Sequence, residues 1–202
     1  AYSSSATQSF DGVISGSGTL LKDTATSVLT LSGANTYEGV TTVNAGTLKI
    51  THITGLGTVD GGTVVGASGI LEIAGVAVAN AEALTLNGTL RGSGTSSFAG
   101  VTTLGSSSTI DVTSGSAFTM SENITDGGNT FNITKTSAGN LILTDAVNSY
   151  DGTTTISAGT LTIGGAGTLD SGDYDANIIN NAALAYSSSA TQSFDGVISG
   201  SG

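Results

Sequence analysis

The chain has 202 residues, of which only 9% are charged, yet its net charge is −11, and it contains no Cys, Pro or Trp. Four scattered cations (Lys22, Lys49, Arg91, Lys135) exclude a phosphate-binding basic patch and hence nucleic acid as a partner. No apolar run approaches the roughly 18–20 residues of a bilayer-spanning helix, and without Cys the fold rests on hydrogen-bond ladders, not disulfides.

From the N-terminus, residues 1–18 read AYSSSATQSFDGVISGSG, and residues 185–202 repeat them letter for letter. The chain therefore reads as one repeat unit, 1–184, followed at 185–202 by the start of the next identical unit: a piece of a tandem array. Between the copies, short period-2 apolar pairs recur: Leu29/Leu31, Leu48/Ile50, Leu71/Ile73, Leu84/Leu86, Ile110/Val112, Phe118/Met120, Leu141/Leu143 and Leu161/Ile163. Each is bounded by Gly, Ser, Asn or Asp, the signature of a short half-buried strand. Residues 76–86 are the best candidate for a helix and read instead as strand, turn, strand.

A second repeat lies inside the first, between residues 13–62 and 131–172. SVLTLSGANTYEGVTTVNAGTLKI (27–50) aligns with GNLILTDAVNSYDGTTTISAGTLTI (139–163), matching Asn35 with Asn148, Tyr37 with Tyr150 and Gly39 with Gly152. Short strands, corner glycines and stacked related units predict an all-β solenoid of parallel strands, with roughly 18–25 residues per coil and eight to ten coils. Leu29, Leu31, Val43, Leu48, Ile50, Leu141, Leu143, Ile156, Leu161 and Ile163 are its expected core. At coil corners, Gly39 and Gly152 are expected to supply positive φ or close approach. Tyr37 and Tyr150 are expected to pack over glycine-rich corners while the Asn side chains bond turn backbone.

The segment ISGSGTLLKD followed by LTLSGANTYEGVTTVNAGTLKI resembles the autotransporter-associated β-strand repeat of Gram-negative passenger domains and giant surface proteins. Residues 13–50 follow its pattern almost throughout. Residues 131–163 follow it more loosely, with Lys135 kept and Thr144–Val147 replacing the Ser-Gly-x segment. The resemblance implies a right-handed parallel β-helix outside the cell, in a family that uses the element as scaffold.

No catalytic constellation emerges. His52, the only histidine, has no G-x-S-x-G partner motif, and alternation turns it outward or to a coil edge. Lys22 and Lys135 hold equivalent places in the internal repeats, which marks them as scaffold. Lys49 and Arg91 have no acids beside them in sequence, and glutamates are few (Glu38, Glu72, Glu82, Glu122). Asp170, Asp173 and Asp175 form the densest acidic loop and are a candidate for Ca²⁺, but a solvated turn is the favoured reading. Asn87, Asn123 and Asn132 begin N-x-T triplets, common by accident in such a sequence. No catalytic, cofactor or metal residues are assigned.

The expected function is mechanical: an extracellular filament, stalk or sheath element at a bacterial, Gram-negative surface, its copies stacked head to tail. The alternative is an adhesin passenger segment, and an enzyme is disfavoured. The segment itself is not expected to insert in a membrane. With no Lys or Pro in residues 1–18 or 185–202 to block an edge, the ends are expected to dock on further copies around Phe10, Val13, Ile14 and Phe194, Val197, Ile198.

Overall fold

The computed structural model describes all residues, Ala1–Gly202. The chain winds into a parallel β-solenoid of about 9 turns. It has no α-helix, only a single 3₁₀ turn at Asp170–Gly172. All strand pairings are parallel. Partners are supplied by the next coil, and the coils differ in length: Leu71 pairs with Leu90 across a short one, Ile110 with Lys135 across a longer one. No helix is long and apolar enough to cross a membrane.

Two sheets carry most of the ladder. One has 13 strands and takes in the long bent strands Leu20–Leu31, Thr41–Ile50 and Thr63–Ala74. The other has 6 strands and starts at Ala77–Val78. Period-2 alternation explains both, since in each L-x-I pair the flanking residues face in and the middle one faces out. Residues 76–86 are strand, turn, strand, with strands at Ala77–Val78 and Leu84–Leu86. A side chain facing inward stacks on its counterpart in the next coil, as in the row Leu29, Leu48, Leu71, Leu90, Ile110. All ten expected core residues are buried in one apolar cluster. No coil could bury such a face alone; the stack does so collectively.

The eighteen-residue copies sit at opposite ends of the solenoid. Gln8–Phe10 pairs with Leu29–Leu31, while Ser193–Phe194 pairs with Asp173–Tyr174. Phe10, Val13, Val197 and Ile198 are exposed, whereas Ile14 and Phe194 pack against the core cluster. Val13 and Val197 face outward in both copies, so the valine does not take part in the apolar stack expected of it.

Candidate functional site

The repeated motif forms a tie between coils. Asn35 sits at a corner with its side chain buried. Its Oδ1 accepts the N–H of Ile14 in the preceding coil at 2.9 Å, and its Nδ2 donates to the carbonyl of Gly55 in the following coil at 2.8 Å. Asn148 does the same between Ile124 (3.0 Å) and Thr168 (2.9 Å). One amide side chain thus satisfies backbone groups on both neighbouring coils that no strand ladder reaches.

Two residues on, Tyr37 is buried with its hydroxyl 2.6 Å from Thr41 Oγ1, and Tyr150 repeats the contact with Thr154 at 2.9 Å. The Tyr37 ring closes over Gly57, where a Cβ would meet it at 3.1 Å. Tyr174 joins the second network, bonding Thr154 at 2.7 Å and stacking edge-on to Tyr150 with ring centroids 6.0 Å apart. Burial pushes the Tyr37 and Tyr174 hydroxyls up to about 12 and raises Tyr150 as well. These tyrosines are internal struts, unavailable as a sugar-binding row. Gly39 and Gly152 serve close approach, because a Cβ at either would overlap the carbonyl of Gly18 or Phe131; the positive φ falls instead at Gly46 (73°) and Gly159 (72°).

Both copies of this Asn-x-Tyr-x-Gly tie fall within segments that match a known repeat. Residues 26–50 and 133–163 match the passenger-associated-transport-repeat model. These two segments are similar to an autotransporter passenger repeat. It is also 33% identical over 193 residues to the adhesin BmaC autotransporter of Brucella suis biovar 1 (strain 1330), a match that covers 91% of this chain and 5% of that protein. The chain therefore spans about one twentieth of the length of that relative. No solved structure matches it.

Around the passenger repeats, the four cations all have places in the scaffold. Lys22 and Lys135 are fully buried, with their ammonium groups on corner carbonyls. Lys49 and Arg91 stand on the outer face in one row with two acids: Lys49, Glu72, Arg91 and Asp111 come from four consecutive coils. The ion pairs run Lys49–Glu72 at 3.0 Å, Arg91–Glu72 at 3.8 Å and Arg91–Asp111 at 2.7 Å. For Asp111, burial alone would raise the carboxyl; hydrogen bonds from Ser137 and Arg91 together with the Arg91 charge outweigh it and hold the group low. Folding thus supplies the acids that sequence adjacency withheld.

His52 is a turn cap, its Nδ1 accepting the N–H of Thr54 at 3.2 Å. Nδ1 also lies 3.1 Å from Thr54 Oγ1, so the ring is held within its own turn. The amide groups of Asn87, Asn123 and Asn132 bond Val65, Ser149 and Thr153 respectively, so all three N-x-T asparagines are engaged between coils.

The acidic loop is arranged differently from the sequence expectation. Asp173 and Asp175 come together with Asp195, not Asp170; the three exposed carboxylates lie within 4.8 Å of one another. Asp170 sits in the 3₁₀ turn, where burial and then the charges of Asp151, Asp175, Asp173 and Asp126 raise its carboxyl. Asp195 was missed because it belongs to the next coil and enters only through the pairing of Ser193–Phe194 with Asp173–Tyr174.

Glu82 was also missed. It is fully buried, with Oε1 accepting from Thr63 Oγ1 at 2.7 Å. Its Oε2 and the hydroxyl of Thr102 on the next coil are buried without partners. Desolvation raises this carboxyl, and the Thr63 bond offsets only part of the rise.

Proposed function

We propose that this chain is a stalk segment of an adhesin-type passenger on the outer surface of a Gram-negative cell. In this reading it is a stiff spacer that holds adhesive parts of a larger protein away from the membrane and performs no turnover. The observation that carries the reading is the unbroken stack: a single inward row passes through Leu29, Leu48, Leu71, Leu90, Ile110, Lys135 and Ile156 without a hinge. At about 4.8 Å per coil, about 9 turns advance about 40 Å. The passenger repeats and the adhesin relative support the surface setting.

The test is a surface-anchored reporter carrying a fluorescent tag, with and without this chain inserted below the tag. Tag height above the membrane should rise by about 40 Å; an unchanged height would refute the spacer. The adhesin relative favours a second reading, in which the segment itself binds. Beads coated with the purified chain separate the two: retention on host cells or matrix would assign adhesion to this segment, while retention no greater than that of bare beads keeps it as the stalk.

A further inference from the structure

The same eighteen residues are seen in two settings, and each setting leaves free what the other uses. Locally the copies fold alike. The Tyr2 hydroxyl donates to the carbonyl of Ala6 at 2.8 Å, and Tyr186 donates likewise to Ala190 at 2.5 Å. Ser9 bonds Asp11 at 2.9 Å, and Ser193 bonds Asp195 at 3.0 Å. Gly16 and Gly200 share a left-handed conformation at φ 96° and 110°.

Their neighbours differ. Residues 1–18 meet only the following coil. The carbonyls of Tyr2, Phe10, Ile14 and Gly16 accept from Asp23, Ser32, Thr36 and Glu38, and the N–H of Ile14 reaches Asn35. Residues 185–202 meet only the preceding coil. The N–H groups of Ser187, Ser189 and Asp195 donate to Ile163, Gly165 and Tyr174, and that of Val197 reaches Asn177 Oδ1 at 3.0 Å. Gln192 also clamps Leu169, accepting its N–H at 2.7 Å and donating to its carbonyl at 3.2 Å.

Carried onto one copy, these two sets do not overlap. The adjacent N–H groups of Val13 and Ile14 would each receive an asparagine side chain, one from either side. Apolar exposure is complementary too. Phe10 is 44% exposed where Phe194 is half-buried, and Ile198 is 51% exposed where Ile14 is half-buried. The apolar groove lined by Tyr2, Phe10, Ile14, Leu29 and Leu31 therefore faces the side on which 185–202 receives residues 160–182.

We infer that this segment is a two-sided junction coil, and that the groove at residues 1–31 accepts residues 160–182 of a second copy of this chain. The junction needs no cap or linker: the solenoid passes from one repeat unit into the next through contacts already present at its two ends. This deepens the stalk reading and rests on it.

The test joins residues 1–184 to a full second chain 1–202 and labels the middle eighteen-residue segment isotopically. Amides equivalent to Val13 and Ile14 should both resist hydrogen exchange in that segment, whereas in the single chain one is slow and the other fast in each copy. The joined chain should melt in one transition above the single chain. If either amide exchanges as fast as its free counterpart, or if two separate transitions appear, the junction is overturned. Gln192→Ala and Asn177→Ala at the junction should restore fast exchange on the preceding side alone; fast exchange on neither side would also count against it. Tag height with one copy does not depend on a junction, so the two readings can fail separately.

Discussion

Lys22 and Lys135 lie at matching places in the two internal repeats, 13–62 and 131–172, and end on matching carbonyls: Lys22 donates to Ala45 at 2.9 Å, Lys135 to Ala158 at 3.1 Å. Their rows nonetheless differ. Lys22 stacks on Val43, Val65 and Leu86, whereas Lys135 stacks on Ile110, Leu90 and Leu71. The second repeat is therefore shifted around the axis by one face. The motif is a device for closing a corner, and the solenoid accepts it on either face because each corner needs its carbonyls bonded.

Lys135 should give the protein an alkaline signature. Burial pulls its ammonium down to about 8, with Asp111 pulling weakly the other way. The unfolded chain then binds more protons than the folded one above pH 8, so stability should rise from pH 8 to pH 10. Above pH 10, Tyr37 and Tyr174 reverse the slope, because they keep their protons up to about 12 while the unfolded tyrosines lose theirs. Lys135→Met should reduce the gain between pH 8 and 10, leaving the part due to Lys22, which burial also lowers. It should also cost about 2 kcal/mol at pH 7, since the carbonyls of Thr136, Ser137 and Ala158 lose their donor. Denaturant melts at pH 7, 8, 9 and 10 check both; an unchanged slope would show that the lysine is not the titrating group.

Glu72 links two cations in the outer row, so Glu72→Gln should break the Lys49 and Arg91 pairs together. The group is mostly covered but its partners are about one third exposed, which limits the loss to about 1 kcal/mol. The loss should shrink in 1 M salt, where the screening length is about 3 Å. Equal losses in low and high salt would mean the row is held by packing instead.

How far the sequence revealed this scaffold can be read residue by residue. Leu48 and Ile50 were legible as core because strand alternation is local and the stack repeats it. The row Lys49, Glu72, Arg91, Asp111 was legible in principle: Lys49, Glu72 and Asp111 are each the middle residue of an apolar pair, Arg91 follows Leu90, and the signs alternate from one to the next. It escaped notice because pairing between coils depends on coil length, which varies along the chain: the step from Leu71 to Leu90 is shorter than that from Ile110 to Lys135. Asp195 joined Asp173 and Asp175 for the same reason. Glu82, in A-N-A-E-A-L, has no local mark of burial at all; only the closing of the coil over it places it inside.

The Asp173, Asp175 and Asp195 cluster concentrates like charge on an exposed corner. Asp195→Asn should raise the melting temperature slightly at low ionic strength, with the gain fading by 0.15 M salt as screening sets in. A chelator should leave the melt of the unmodified chain unchanged. A fall in melting temperature on Asp195→Asn, together with sensitivity to chelator, would assign the corner to a cation and overturn the solvated reading.

Glu82 bears the clearest internal cost. Its carboxyl is fully buried, holds one hydroxyl through Oε1, and leaves Oε2 without a partner. Because burial raises its folded pKa, the folded chain retains a proton that the unfolded chain releases. Stability should therefore fall as pH rises from the ordinary glutamate value, about 4.3, through the raised folded value, and the deficit should persist at neutral pH. Glu82→Gln keeps an acceptor for Thr63 and never ionises. It should raise the melting temperature at pH 7, flatten the acid-side slope, and show little gain below pH 4, where Glu82 is neutral in both states. Paired melts at pH 3.5 and pH 7 decide this. A loss at pH 7 on Glu82→Gln would mean that the ionised carboxylate has a partner in the core, with Thr102, whose buried hydroxyl also lacks a partner, as the first place to look for it.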